Sequence, residues 1–177
     1  WEEIDPACAD SESPPETPNA KEIVHQHLPQ HPMKLHPEVE KTINEQINLE
    51  FQSAHAYLAM AAWFEHKSLG GFATWMTRQG QEELGHGNRF FKYIVERGGK
   101  VALQAIPEPK CDYKSPLDVF KASLGHEQRV SASICAIYEI AAAEKDYATL
   151  SFLKWFLDEQ VEEEKTVREI VAKLQMV

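Results

Sequence analysis

From Pro37 onward, apolar residues return every third or fourth position. Val39, Ile43, Ile47, Ala54, Tyr57, Leu58 and Ala61 fall at helical spacing. Pro37 suits a first-turn position, where its missing N–H is no loss. The spacing predicts a first helix over about 37–66, broken by Gly70-Gly71. A second stripe, carrying Phe72, Trp75, Met76, Phe90, Tyr93 and Ile94, predicts a helix over about 71–97 that stops at Gly98-Gly99. Residues 99–115 contain Pro107 and Pro109 and read as a long, extended connection. Ser115-Pro116-Leu117-Asp118 is a helix start, with Ser as the N-cap and Pro in the first turn. That third helix reaches about Lys145, and a fourth runs from about Tyr147 to Leu174 after a short turn near Asp146. No strand pattern is convincing. The fold class is therefore all-α, a four-helix bundle of two hairpins with a long crossover between helices two and three.

Residues 1–35 have a different texture. Pro6, Pro14, Pro15, Pro18, Pro29 and Pro32 are mixed with Ser, Glu and Asp and show little apolar periodicity. They read as a flexible, acidic N-terminal extension, with at most a short helix around residues 20–27, attached to a bundle domain at 36–177. A chain of 177 residues is long enough for a core that needs no staples. The net charge of -10 argues against nucleic acid or anionic lipid as a partner and suits a protein that attracts cations. No apolar run approaches the ~20 residues of a membrane span. Cys8, Cys111 and Cys135 form no CxxC pair, so neither a disulfide framework nor a zinc knuckle is expected, and an intracellular, reducing compartment fits better. The start at Trp1 is acidic and proline-rich, unlike a signal peptide.

The chemistry lies on the inward stripes. Glu83-Leu84-Gly85-His86 is a Glu-x-x-His step, which puts a carboxylate and an imidazole on one helix face within reach of one metal ion. Glu50 sits among Ile47, Ala54 and Tyr57, and Glu127 is spaced with Leu124, Val130 and Ile134. Gln160 and Glu163 form an i, i+3 pair on the fourth helix. A buried carboxylate is costly unless paired or bound to metal. Oxygen ligands with one nitrogen suit iron or manganese better than copper or structural zinc. Glu83 is central enough to bridge two ions, and Tyr57, two turns after Glu50, is placed to hydrogen-bond a ligating carboxylate. Any one of these residues alone would be read blandly, as a solvated Glu or a packed His. Their joint occurrence on four separate helices defeats that reading. His25, His27 and His31 sit in the extension and His36 at its border, and all four are read as unliganded. Trp63, Phe64, Trp75, Phe90, Trp155 and Phe156 are read as core and packing.

At these residues the chain resembles the ferritins, over roughly 37–174. The matching text is Ile43-Asn44-Glu45-Gln46-Ile47-Asn48-Leu49-Glu50, Glu82-Glu83-Leu84-Gly85-His86, His126-Glu127 and Asp158-Glu159-Gln160-Val161-Glu162-Glu163. The resemblance implies a ferroxidase that oxidises Fe(II) with dioxygen at an intrasubunit di-iron centre and stores Fe(III) mineral in a shell of 24 subunits. By position, Glu50, Glu83 and His86 would hold the first iron. Glu83 would bridge to a second, held with Glu127 and with Glu163 or Gln160, and Tyr57 matches the tyrosine beside the centre. Glu82, Glu159 and Glu162, with Glu163, match the third iron site of bacterial-type ferritins. Leu84 stands where a bacterioferritin has its haem-ligating Met, and Glu163 where it has a second His, so no haem is expected.

Other departures follow. Thr149-Leu150-Ser151-Phe152-Leu153 replaces the acidic lining of the threefold channel in animal and plant chains. Arg78, Gln81, Glu82 and Gly85 replace most of the mineral-nucleating cluster of some animal chains. The sequence stops at Val177, where most ferritins continue into a short fifth helix. The Pro-containing extension resembles that of plant plastid ferritins, which suggests a plastid, with the cytoplasm as the alternative. The competing reading is a structural cage or scaffold subunit whose extension docks a partner. A di-iron enzyme acting on an organic substrate would want a second Glu-x-x-His, which Gln160-Val161-Glu162-Glu163 lacks.

Overall fold

The computed structural model describes residues 33–176. The short helix expected around 20–27, together with Cys8, His25, His27 and His31, lies outside them. Four helices follow in order: α1 (Pro37–His66), α2 (Gly70–Glu96), α3 (Pro116–Ala143) and α4 (Tyr147–Leu174). Three of the four starts, all but that of α2, are capped by side chains that take up backbone N–H groups left free in a first turn. His36 Nδ1 accepts from Glu38, Ser115 Oγ from Asp118, and Asp146 from Thr149.

Three helix ends share one device, in which a left-handed residue lets two later N–H groups bond back into the last turn. At α2 the residue is Gly98 (φ 68°), with Gly99 N bonded to Ile94 O at 2.9 Å, as the glycine pair led us to expect. At α1 and α3 it is Ser68 (φ 58°) and Lys145 (φ 56°). Gly70-Gly71 therefore does not break the first helix. Ser68 makes the turn, and both glycines open α2. The third helix likewise ends at Ala143, because Lys145 belongs to the reversal.

The crossover leaves α2 extended and is pinned early. Asn44 of α1 donates to Lys100 O at 3.0 Å and accepts from Ala102 N at 2.7 Å. Helix α1 packs against α2 and α3, and α3 against α4. Stacked Phe90 and Phe156, 4.1 Å between centroids, join α2 to α4. Gly87 lets α1 and α2 approach closely, since a Cβ there would lie 2.4 Å from Phe51 Cε1 and push that ring aside.

The apolar core falls into two clusters. One holds Val39, Ile43, Ile47, Phe90, Ile94, Val130, Ile134, Leu153 and Phe156. The other holds Met60, Phe64, Ala73, Met76, Val119, Phe120, Val167 and Val171. On every helix, the stretch between the two clusters carries buried polar residues: Glu50, Glu83 and His86, Glu127, then Gln160 and Glu163. Each fully buried Phe or Ile contributes roughly 1.5–3 kcal/mol. The two apolar ends thus offset the cost of a charged waist. Among the described residues, no helix is long and apolar enough to cross a membrane.

Candidate metal centre

Helical periodicity brings the waist together. Glu50 (α1), Glu83 and His86 (α2), Glu127 (α3) and Gln160 and Glu163 (α4) are all buried, with Glu50 and Glu83 wholly so. Ligand atoms of Glu50, Glu83 and His86 lie within 4.8 Å of one another, as do those of Glu83, Glu127 and Glu163. Glu83 belongs to both triads, as its central position suggested. His86 Nδ1 lies 3.8 Å from Glu83 Oε2, and its ring rests edge-on against Trp155 and Phe156.

The hydrogen bonds in the waist are uneven. Gln46 Nε2 donates to Glu50 Oε1 at 2.7 Å. Tyr57 donates a short hydrogen bond to Glu127 Oε1 and lies 2.9 Å from Ser123 Oγ. Gln160 Nε2 reaches Glu127 Oε2 (3.3 Å), Glu127 O (3.2 Å) and Ser131 Oγ (3.3 Å). Gln160 thus turns an amide donor toward Glu127, while both oxygens of Glu163 are without partners. Both oxygens of Glu83 and Oε2 of Glu50 are equally bare. Buried acceptors in native proteins are nearly always satisfied, and five bare carboxylate oxygens in one layer fit a ligand that accepts lone pairs.

Electrostatics agree. Burial first, then the neighbouring Glu83, raises the Glu50 carboxyl well above the usual range. Burial and the facing Glu127 push Glu83 up to about 8. The same two causes push Glu163 up to about 11. Divalent cations would relieve this repulsion, and carboxylates with one imidazole fit iron or manganese.

A polar pocket of about 150 Å³ opens beside the waist, lined by Glu82, Glu159, Glu162 and Glu163 with Gln79, Thr166, Trp75 and Val167. The four acidic residues matched to a third iron site therefore share one pocket, in which Glu82 and Glu162 are exposed and Glu163 is common to both sites. Gln46, Ser123 and Ser131 escaped the sequence reading. Only Gln46, at i−4 from Glu50, carried a signal that periodicity could have exposed.

This fold and site define a ferritin-like protein. A family model described as a ferritin-like domain matches residues 40–177, and the chain belongs to the ferritin family. It is an iron-storing subunit of a shell-forming family whose non-haem members are ferroxidases. It is 48% identical over 124 residues to a bacterial non-heme ferritin of Staphylococcus aureus, covering 70% of this chain and 75% of that protein. A Staphylococcus haemolyticus counterpart is also 48% identical, over 126 residues, covering 71% and 76%. Among solved structures, an open pore ferritin from Archaeoglobus fulgidus superposes with a TM-score of 0.80 at 42% identity, covering 81% of this chain and 88% of that one. These relatives are bacterial and archaeal, so the expectation of a plastid, drawn from the extension, finds no support.

Proposed function

We propose that the iron chemistry takes place at a two-ion centre within each subunit, with a third ion in the adjoining acidic pocket. The observation that carries this reading is the layer of bare, buried carboxylate oxygens shared by two triads through Glu83. Glu50, Glu83 and His86 hold one Fe(II), and Glu83, Glu127 and Glu163 hold the other. Two Fe(II) would give one electron each to one dioxygen, which with two protons leaves as hydrogen peroxide, and the carboxylates would stabilise the Fe(III) that results.

This chain's own residues set the proton balance. With Glu83 near 8 and Glu163 near 11, both carboxyls are largely protonated at neutral pH before ions arrive. Ion binding must expel those protons. Tyr57 and Gln160 hold Glu127 from two sides, so that its carboxylate keeps one orientation. Glu82, Glu159 and Glu162 collect a cation from solvent beside Glu163, which the pocket shares with the centre.

Residues 36–177 are then the working bundle and 1–35 an appended segment, and the shell has the 24 subunits that the resemblance implies. Fe(II) titration without oxygen, followed by an oxygen pulse, tests the centre. Two ions per subunit and rapid oxygen uptake are expected, and a third ion implicates the pocket. Glu83→Ala and His86→Ala should each reduce the oxidation rate by at least tenfold with the helical fold retained. Oxidation at the parent rate in both variants would exclude the site.

A further inference from the structure

Gln46 lies one helical turn before Glu50 on α1 and is wholly buried. Its Nε2 ties up Glu50 Oε1 at 2.7 Å, while Glu50 Oε2 has no partner. We infer that Gln46 is a positioning residue for the His86-side ion, clamping one oxygen of Glu50 so that the other is the one offered to metal. The inference rests on the two-ion reading above.

A glutamate free to turn about its last torsion can offer either oxygen, or both. An amide donor on Oε1 fixes the carboxylate plane and leaves Oε2 as the readiest ligand atom. With an ion bound, Glu50 is a carboxylate that only accepts, so the Gln46 amide must then present its nitrogen to it. The four glutamates of the waist differ in this respect. Glu83 and Glu163 have no protein donor, and Glu127 is held at both oxygens by Tyr57 and Gln160. Glu50 alone is held at one oxygen and bare at the other.

The surroundings of Gln46 say that the bundle itself does not need this amide. It sits between Ile43 and Ile47 of the apolar cluster, and its own Oε1 is buried without a partner. A buried polar atom left unpaired destabilises, so an aliphatic side chain of the same length would suit the metal-free fold at least as well. A residue that the fold does not reward and that bonds only a ligand-bearing carboxylate is placed there for the ligand.

Cobalt(II), with its visible d–d bands, is the probe. The wild-type chain should show two binding steps at the buried centre, apart from any at the acidic pocket, and the step that His86→Ala removes identifies the ion on the Glu50 side. In Gln46→Met, that step should weaken by about tenfold or more, as loss of a partner to a metal-ligating group does. Its absorption bands should shift while the other step holds and the metal-free melting temperature does not fall. Gln46→Leu repeats the test should the Met variant fold poorly. A wild-type chain that takes up no cobalt here removes the two-ion reading and this inference with it. Two normal steps in wild type, with Gln46 variants that bind and absorb identically, overturn the positioning role alone. So does an equal loss in both steps that tracks a lower metal-free melting temperature.

Discussion

Two buried polar clusters occupy this bundle, and they are built on opposite principles. At the junction of α2 and α4, Arg97 forms a two-pronged bond to Asp146 at 3.0 and 3.1 Å. Asp146 in turn accepts from Thr149 Oγ1 (2.8 Å) and N (3.1 Å), and Thr149 pairs with Tyr93. Charges there balance, and none of those side chains has a bare buried atom. The waist between the core clusters instead gathers four carboxylates around one imidazole and leaves five of their oxygens bare. The first cluster is complete within the protein, whereas the second leaves acceptors open, as the proposed cation centre would need. Thr149, buried at the start of α4, belongs to the complete cluster.

Substitution should separate the two by sign. Asp146→Ala strands a buried guanidinium, and breaking a buried pair from one side costs about 3–5 kcal/mol. At roughly 2–4 °C per kcal/mol for a chain of this size, the metal-free protein should melt at least ~6 °C lower. Glu83→Gln removes a buried carboxyl whose ionisation the fold resists, so above about pH 8 it should raise the metal-free melting point, while abolishing ion binding. Calorimetry of both variants in chelator decides the matter. If Glu83→Gln destabilises like Asp146→Ala, the waist is a structural network and the distinction fails.

Smaller per pH unit, and specific to the waist, is a pH effect. Burial holds the Glu83 proton up to about 8, whereas the unfolded chain releases it near the ordinary 4.5. The folded form therefore binds more protons across that window. The stability this proton confers is fully present below 4.5 and is lost as pH rises toward 8, at up to about 1.4 kcal/mol per pH unit for one proton. Glu163, pushed to about 11, extends the decline upward. Urea melts of the metal-free protein at pH 5, 6.5 and 8 should show falling stability. Saturating divalent metal should flatten or reverse the trend. A metal-free protein equally stable at all three values would mean the waist carboxyls are not held protonated.

How much of this contrast was legible in the chain follows from the range of the interactions. A helix period of 3.6 places Glu50, Glu83, Glu127 and Glu163 on inward faces, and four inward carboxylates imply convergence. Helix spans were readable for the same reason, through Pro37, Ser115 and the Gly98-Gly99 stop. The Arg97–Asp146 pair was not readable, because 49 residues separate its members and either alone reads as a surface charge. Gln160 and Glu163 were left as alternatives because spacing alone does not say which turns a donor toward Glu127. Ser68 and Lys145 went unnoticed as turn-makers because neither residue type favours the left-handed region.

Lys145 gives the finest test of the complete cluster. Its left-handed backbone, φ 56°, reverses the chain directly before Asp146, so it sets the direction from which Asp146 meets Arg97. A non-glycine residue in that region carries a cost of roughly 1–2 kcal/mol, part of which glycine gives back as freedom of the unfolded chain. Lys145→Gly should therefore stabilise by a net of about 0.5 kcal/mol, or roughly 1–2 °C in melting temperature. Its side chain is exposed, so no packing is lost. Cobalt binding at the waist should not change, because the turn touches only the cluster that is already satisfied. A drop in stability would mean that the Lys145 side chain, rather than its backbone, holds this corner. A change in metal affinity would mean that the two polar clusters are coupled through α4, and that the division between them is false.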